Sequence, residues 1–335
     1  MSDESPNAKQ KRVDSGITRR TFLGMSLGTG VTLFAGGSAT ILGADSSTAT
    51  SPVTNPTWQL GGDLPVNRLG FGAMRITGEG IWGWPPDRNN ALKVLKRAVE
   101  LGVNLIDTAD AYGPETSELL IAEALHPYPK GLVIATKGGL TRPGPGQWVP
   151  NGRPEHLKKA VDGSLKRLRL DRIDLYQLHT VDRKVPMEAS LGALKEMQDV
   201  GKIRHVGLSN VDPEEIERAR KVLPIVSVQN QYNIENRKSE NVLVYCEKKS
   251  LGFMPWFPIG GGRGLKPENP LEKVARDHGV SVVQVALAWL LQRSPVMLPI
   301  PGTSSIAHLE ENVAAARLKL TSAEWKTIDA LAGQR

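Results

Sequence analysis

Hydrophobic and polar positions follow two different spacings along this chain from Trp58 onward. Short apolar runs are typical of buried strands, whereas apolar residues that recur every three or four positions are typical of one face of a helix. The two patterns alternate, and eight strand candidates follow one another: residues 68–74, 105–107, 132–137, 173–179, 205–209, 225–229, 252–256 and 296–300. Strands that alternate with helices predict a parallel sheet covered by helices.

Helical spacing fills the gaps between these strands. The predicted helices are residues 90–100, 117–125, 153–168, 187–197, 213–221, 241–249 and 308–316, with another from Ser322 on. Residues 282–291 are apolar almost throughout, but this run is about half the ~20 residues that a membrane span requires, and it contains Gln284. The run therefore predicts a buried helix.

The number of strand–helix units decides between two folds. Eight units in a domain over residues 57–335 predict an α/β fold of the (β/α)8 TIM-barrel type. Residues 58–66 precede the first unit and predict a β-hairpin that turns at Gly61 and Gly62. The alternative, a doubly wound sheet, carries a Gly-x-Gly-x-x-Gly turn after its first strand, and the pair Gly70 and Gly72 lacks the third glycine. We therefore predict the barrel.

The first 44 residues have the order of an export signal. Arg19 and Arg20 precede Phe22, Leu23 and an apolar, glycine-rich run, which resembles a twin-arginine signal. Residues 45–56 are rich in Ser and Thr and predict a linker. The expected partner is the twin-arginine export machinery, and the expected location is the periplasm or the cell exterior. An uncleaved signal that anchors the protein in a membrane and a chance pair of arginines stay open as alternatives.

Composition and charge narrow the classes of function. The net charge of +7 is spread along 335 residues, and no run of Lys and Arg is interleaved with aromatic residues, which argues against a nucleic-acid groove. Cys246 is the only cysteine, so the chain has no internal disulfide, and its helical position predicts a packed thiol. The six histidines are scattered, and no metal site is predicted.

Side chains that carry chemistry stand at the carboxyl ends of the predicted strands. In a barrel these ends share one mouth, where catalytic groups gather. Along the chain they are Asp107 with the loop residue Tyr112, then Lys137, His179, Ser209, Asn210, Gln229 and Trp256. Taken singly, a lysine at a strand end or a buried histidine is ordinary packing. Four ionisable residues, Asp107, Tyr112, Lys137 and His179, on successive units predict a catalytic site.

The motifs around these residues resemble those of the aldo-keto reductases. They are Asn104-Leu-Ile-Asp-Thr-Ala-Asp-Ala-Tyr-Gly113, Ile134-Ala-Thr-Lys137, Leu178-His179, Gly207-Leu-Ser-Asn210 and Gln229. Trp256-Phe-Pro-Ile-Gly260 and Ile300-Pro-Gly-Thr-Ser-Ser305 are most similar to bacterial members that include pyridoxal reductases. The resemblance covers nearly the whole chain after Trp58, and it implies reduction of an aldehyde or ketone to the alcohol by hydride transfer from NAD(P)H.

The resemblance implies a role for each of four residues. Tyr112 would be the general acid, and Lys137 would lower the pKa of its phenol. Asp107 would hold Lys137 in position and keep it charged. His179 would hydrogen-bond the substrate oxygen and orient the carbonyl. A cofactor-holding redox sensor or partner-binding subunit with little turnover is the alternative, and the complete set of four argues against it.

The resemblance also implies a cofactor site. Ser209, Asn210 and Gln229 would bind the nicotinamide carboxamide, and Trp256 would stack on the nicotinamide ring. The residues expected near the pyrophosphate and the adenosine are Gly260, Arg263, Gly302, Thr303, Ser304, His308, Glu311 and Asn312.

The resemblance also bears on the choice between NADPH and NADH. Many relatives bind the 2′-phosphate of the cofactor with a lysine and an arginine, and Gly302 and His308 stand at those places here. NADPH is still favoured over NADH, because hydroxyl side chains and a helix N-terminus can bind a phosphate.

Three tryptophans are candidates for substrate contacts. Trp82 and Trp84 follow the first predicted strand, and Trp148 lies in the loop after the third. Tryptophans above a barrel mouth favour a flat, aromatic or apolar carbonyl compound, although they also serve as loop anchors. The expected substrate is therefore a small carbonyl compound, and the sequence carries no signal for the oligomeric state.

Overall fold

The computed structural model describes residues 57–260 and 269–333. The predicted signal over residues 1–44, the linker over residues 45–56 and Arg263 lie outside the described residues. The export signal, the linker and the cofactor contact of Arg263 therefore stay predictions. None of the described helices is long and apolar enough to cross a membrane.

The predicted hairpin is confirmed. Strands β1 (Thr57–Leu60) and β2 (Leu64–Asn67) pair in antiparallel fashion. Gly61 and Gly62 have φ angles of 64° and 86° in the turn between them, a region that favours glycine. Leu60, Leu64 and Val66 pack with side chains from the barrel strands in one apolar cluster. The hairpin closes the end of the barrel at which the strands begin.

Seven parallel strands form the barrel sheet. Their bounds are β3 (Phe71–Gly72), β4 (Leu105–Asp107), β5 (Val133–Gly138), β8 (Ile173–Leu178), β9 (Ile203–Ser209), β10 (Ile225–Gln229) and β11 (Gly252–Phe253), and each pairs with the next. The loop after β5 forms a short antiparallel ribbon of β6 (Leu140–Thr141) and β7 (Val149–Pro150). The first strand is shorter than predicted, since a single 3₁₀ turn, Ala73–Ile76, follows it.

The eighth predicted strand, residues 296–300, is not a regular strand. Phe253 in β11 exchanges backbone hydrogen bonds with this segment, and the carbonyl oxygens of Pro299 and Pro301 accept from Gly70 and Gly72 at 2.9 and 3.3 Å. Proline has no N–H to donate, so the segment cannot form a complete ladder. The segment still forms backbone hydrogen bonds with β11 on one side and with residues 70 and 72 on the other, and so closes the barrel between β11 and β3.

Ten α-helices are present in the described part of the chain. They are α1 (Arg88–Glu100), α2 (Thr116–Leu125), α3 (Pro154–Leu168), α4 (Met187–Asp199), α5 (Pro213–Arg220), α6 (Glu240–Lys249), α7 (Pro270–His278), α8 (Val282–Arg293), α9 (Ile306–Ala314) and α10 (Ser322–Asp329). The apolar helix α8 is buried, and Cys246 is a buried thiol, both as predicted. Helix α7 was not predicted, although Asn269 and Pro270 form an N-terminal start signal.

Candidate active site

Three of the four predicted catalytic residues meet through Lys137. Parallel pairing places Asp107 beside Ala135, near Lys137 on the neighbouring strand. The Lys137 ammonium donates to Oδ2 of Asp107 at 2.7 Å, to the carbonyl oxygen of Thr108 at 2.8 Å and to the hydroxyl oxygen of Tyr112 at 3.3 Å. Lys137 is fully buried. All three of its N–H groups are therefore used, one of them on the phenol.

Burial and charge act in opposite directions on this group. Burial raises the pKa of the Tyr112 phenol above its usual range, and the positive charge of Lys137 only partly opposes the rise. Lys137 lowers the pKa of Tyr112, as expected, but burial outweighs this effect, so the net shift is upward. Burial alone would lower the pKa of Lys137, but Asp107 and Tyr112 raise it. At neutral pH Tyr112 thus carries a proton and Lys137 a charge.

His179 completes the set from the end of β8. Its ring lies edge-on to Tyr112, with 5.7 Å between the ring centroids and 82° between the planes. Its backbone N–H donates to the carbonyl oxygen of Gly138 at 2.9 Å. Burial, with the charges of Lys137 and Arg142, holds the pKa of His179 well below its usual range. The imidazole is neutral and can donate one hydrogen bond to a carbonyl oxygen.

Gln229 is tied into this cluster, a connection that the sequence did not indicate. Its amide nitrogen donates to Oδ1 of Asp107 at 2.8 Å and to the side-chain oxygen of Gln177 at 3.0 Å. Gln177 in turn donates to Ser227 at 3.1 Å. The sequence signal for Gln177 is a single amide side chain within the mostly apolar strand β8. Only the amide oxygen of Gln229 stays available to accept from a ligand, while both oxygens of Asp107 are engaged.

Ser209, Asn210 and Trp256 lie together at the ends of neighbouring strands. The side-chain nitrogen of Asn210 donates to the hydroxyl oxygen of Ser209 and to the carbonyl oxygen of His179, both at 3.1 Å. Its side-chain oxygen accepts from the Trp256 indole at 2.9 Å. Asn210 therefore fixes the indole of Trp256 beside the catalytic cluster, as an aromatic platform for a flat ring requires.

Six of the predicted phosphate and adenosine residues lie just before α9 or on it: Gly302, Thr303, Ser304, His308, Glu311 and Asn312. Ser305 caps this helix, and Thr303 accepts from the backbone N–H of Ser305 at 3.0 Å. Ser304 is exposed, His308 and Glu311 are half-buried, and Asn312 is buried on the same helix. Gly260 follows Trp256 in a turn with a φ angle of 63°. A helix N-terminus with neighbouring hydroxyl groups fits a phosphate.

Backbone packing explains why position 302 carries no lysine. A Cβ atom at Gly302 would lie 2.5 Å from the carbonyl oxygen of Gly72, too close for any side chain. The Cγ atom of Arg75, an exposed residue of the turn after β3, lies only 3.7 Å from that same Cβ position. A cation is therefore available beside Gly302 from a different strand–helix unit.

Trp148 contacts two residues of the catalytic cluster, and Arg142 lies against both Trp148 and Trp82. The Trp148 ring lies 6.2 Å from the Tyr112 ring and 6.4 Å from the His179 ring. The Arg142 guanidinium carbon lies 3.6 Å from the Trp148 ring centroid and 5.5 Å from that of Trp82.

Trp84 is placed differently. It is 48% exposed, and its ring packs under Arg88. Trp84 as a substrate contact stays a prediction.

An acidic cluster that the sequence did not indicate lies near Tyr112. Glu118 is fully buried and accepts from Arg167 at 2.6 Å. Burial and the neighbouring Glu118 raise the pKa of Asp110 well above its usual range. In the described part of the chain, no cluster of three or more His, Cys, Asp or Glu residues could hold a metal ion.

Comparisons with known proteins agree on one family. The model described as "Aldo/keto reductase family" matches residues 68–332. An uncharacterised oxidoreductase of Schizosaccharomyces pombe is 53% identical over 80% of this chain and 87% of its own length. Pyridoxine 4-dehydrogenase of Escherichia coli is 45% identical over 81% of this chain and 96% of its own length. The crystal structure of an aldo-keto reductase of Klebsiella pneumoniae in complex with NADPH has a TM-score of 0.72 and 27% identity, over 84% of this chain and 97% of that chain.

Proposed function

This chain belongs to the aldo/keto reductase family and is an oxidoreductase that reduces carbonyl compounds; we propose that its substrate is a flat aromatic aldehyde of the pyridoxal type. We further propose NADPH as the reductant and Tyr112 as the proton donor. The family match and the named relatives favour this activity over a sensor with little turnover.

One observation carries the assignment of the proton donor. Lys137 directs an N–H to the hydroxyl oxygen of Tyr112 at 3.3 Å, and its other two N–H groups are held by Asp107 and Thr108. The phenol oxygen thus accepts from Lys137, which leaves the phenol hydrogen to point elsewhere. As hydride reaches the carbonyl carbon, negative charge develops on the oxygen, and Tyr112 transfers its proton there. Lys137 stabilises the phenolate that forms, and neutral His179 donates to the same oxygen.

The residues at the strand ends support a nicotinamide cofactor. Bound NADPH supplies the hydride. Trp256, fixed by Asn210, offers a platform for the nicotinamide ring, and Ser209 and the amide oxygen of Gln229 offer polar partners for its carboxamide. The N-terminus of α9 and Arg75 offer the positive potential that the 2′-phosphate requires. A relative of known structure binds NADPH, which supports the same choice here.

The substrate class follows from the tryptophans and from one relative. The Trp148 ring makes edge contacts with the rings of Tyr112 and His179, so a flat ring attached to the carbonyl group can pack against it. The Escherichia coli relative is named for pyridoxine. Oxidation of the hydroxymethyl group of pyridoxine gives the aromatic aldehyde pyridoxal, and the reverse reaction is a carbonyl reduction of the proposed kind.

Export is a separate part of the proposal. Arg19 and Arg20 with the apolar run that follows support a twin-arginine route, which carries folded proteins and so would carry the cofactor already bound. Cell fractionation of the wild type and of an Arg19→Lys/Arg20→Lys variant tests this. Wild-type protein that stays in the cytoplasm would contradict export, and the mature N-terminal sequence shows whether the signal is cleaved.

The test of the activity is pyridoxal reduction followed through NADPH oxidation. Tyr112→Phe is expected to lower kcat by about 10²- to 10⁴-fold, the usual contribution of a general acid, with the NADPH dissociation constant unchanged. Tyr245→Phe is the matched control, since Tyr245 carries its hydroxyl group on helix α6, where it contacts Glu217 on α5. Full activity in Tyr112→Phe would refute the assignment of the proton donor. Absence of pyridoxal reduction by the wild type would refute the substrate.

A further inference from the structure

Arg142 has no assigned role, yet the loop after β5 places it beside the catalytic residues. Strands β6 and β7 pair Thr141 with Val149, and the next residues along this ribbon are Arg142 and Trp148. The register therefore lays the guanidinium on the indole, with 3.6 Å from its carbon to the ring centroid. The same indole makes an edge contact with the Tyr112 ring.

The guanidinium is held on one side and unpaired on the other. Its Nε donates to the carbonyl oxygen of Gln147 at 2.8 Å, and its Nη1 donates to those of Ile81 and Ala111 at 3.2 and 2.8 Å. Its third nitrogen, Nη2, is buried and has no hydrogen-bond partner among the described residues. A buried donor without a partner is costly, and the cost is offset when a ligand accepts from it.

The charges at the site favour an anion. Lys137 and Arg142 are positive, and both act on His179. Asp107 forms an ion pair with Lys137, whereas Arg142 forms no ion pair with a carboxylate among the described residues. The site has an excess of positive charge in addition to the cation that stabilises the phenolate.

We propose that Arg142 determines substrate specificity by binding an anionic oxygen, a carboxylate or phenolate, carried on the same ring as the aldehyde. The inference rests on the proposed function. The spacing supports it, because Trp148 lies about 6 Å from both Tyr112 and His179 and also carries Arg142 on its ring. An aromatic ring that packs beside Trp148 can present its carbonyl group to Tyr112 and a substituent to Arg142.

The kinetic test compares 4-carboxybenzaldehyde with 4-nitrobenzaldehyde, which has nearly the same shape but no charge. The ratio of the two kcat/KM values is measured in the wild type, Arg142→Met and Arg142→Lys. Loss of a charge-assisted hydrogen bond is expected to lower the ratio by about 10- to 100-fold in Arg142→Met. Arg142→Lys keeps the positive charge, so its ratio should lie between those of the wild type and Arg142→Met. Arg218→Met, on the exposed face of α5, is the control and should leave the ratio unchanged.

Equal losses for the two aldehydes would overturn the proposal, because Arg142 would then only hold Trp148 in position. Calorimetric binding of 4-carboxybenzyl alcohol to the enzyme–NADP⁺ complex gives an answer that does not depend on turnover. At least tenfold weaker binding to Arg142→Met supports the proposal, and equal binding overturns it. If the wild type reduces neither these aldehydes nor pyridoxal but this binding difference is found, the proposed function fails while the anion site stands.

Discussion

Replacing Lys137 with methionine tests whether its ammonium stabilises the forming phenolate. The nitrogen lies 3.3 Å from the phenol oxygen. At an effective dielectric constant of about 20, two opposite charges at this distance attract by about 5 kcal/mol. If the proton is about half transferred in the transition state, about half of that energy is lost, which corresponds to a roughly 70-fold slower reaction. Lys137→Met should therefore slow hydride transfer by between ten- and a thousandfold.

The assay is a single turnover at pH 7 with saturating aldehyde, followed by stopped-flow absorbance of NADPH. Binding of NADPH is titrated separately, so that a loss of cofactor is not read as a loss of chemistry. The single variant leaves Asp107 buried without its cation. Asp107→Asn/Lys137→Met removes both charges and is the control for that defect. A decrease below about fivefold in both variants, with intact NADPH binding, would refute the reasoning.

Three further outcomes are expected. Arg75→Ala should weaken NADPH binding by about tenfold or more and leave NADH binding unchanged, as measured by fluorescence titration, if Arg75 contacts the 2′-phosphate. His179 has a folded-state pKa below its unfolded value near 6.5, so the unfolded chain binds the extra proton and stability is lost as the pH falls below that value. Urea unfolding between pH 7 and 5 should show a steeper loss in the wild type than in His179→Gln, by at most about 1.4 kcal/mol per pH unit, and parallel curves would contradict this. Arg167→Met should lower the free energy of unfolding by about 3–5 kcal/mol, because it leaves Glu118 buried without its cation. Arg218→Met, which removes the exposed ion pair with Glu188, should lower it by less than about 1 kcal/mol.

Strong local patterns made most of the barrel predictable. Helix α8 is apolar along its length, and strand β5 is a continuous buried run, so both were found close to their true bounds. The segment around Pro299 and Pro301 was misread because its apolar side chains predict a strand, whereas its backbone lacks the donors that a strand needs. Hydrophobic pattern reports which side chains are buried, and it does not report which backbone groups pair.

The same distinction applies to the candidate site. Asp107, Lys137 and His179 were predictable because the carboxyl ends of parallel strands share one mouth. The contact between Gln229 and Asp107 joins residues far apart in the chain across the barrel interior, so no local pattern indicates it. Arg142 depends on the register of a two-residue ribbon, which is set by the loop and not by any hydrophobic period.

The contacts of Lys137 bear on a question that the four residue types leave open, namely where the phenol hydrogen of Tyr112 points. An ammonium has three N–H groups, and here a carboxylate, a backbone carbonyl and the phenol each accept one. Asp107 in turn is held by Gln229, so it cannot turn away from Lys137 without losing that hydrogen bond as well. Since the phenol oxygen accepts on the Lys137 side, its own hydrogen is left for an acceptor on the side of His179 and Trp148. Burial raises the pKa of Tyr112 and so favours the protonated phenol, which the proposed transfer to a carbonyl oxygen requires.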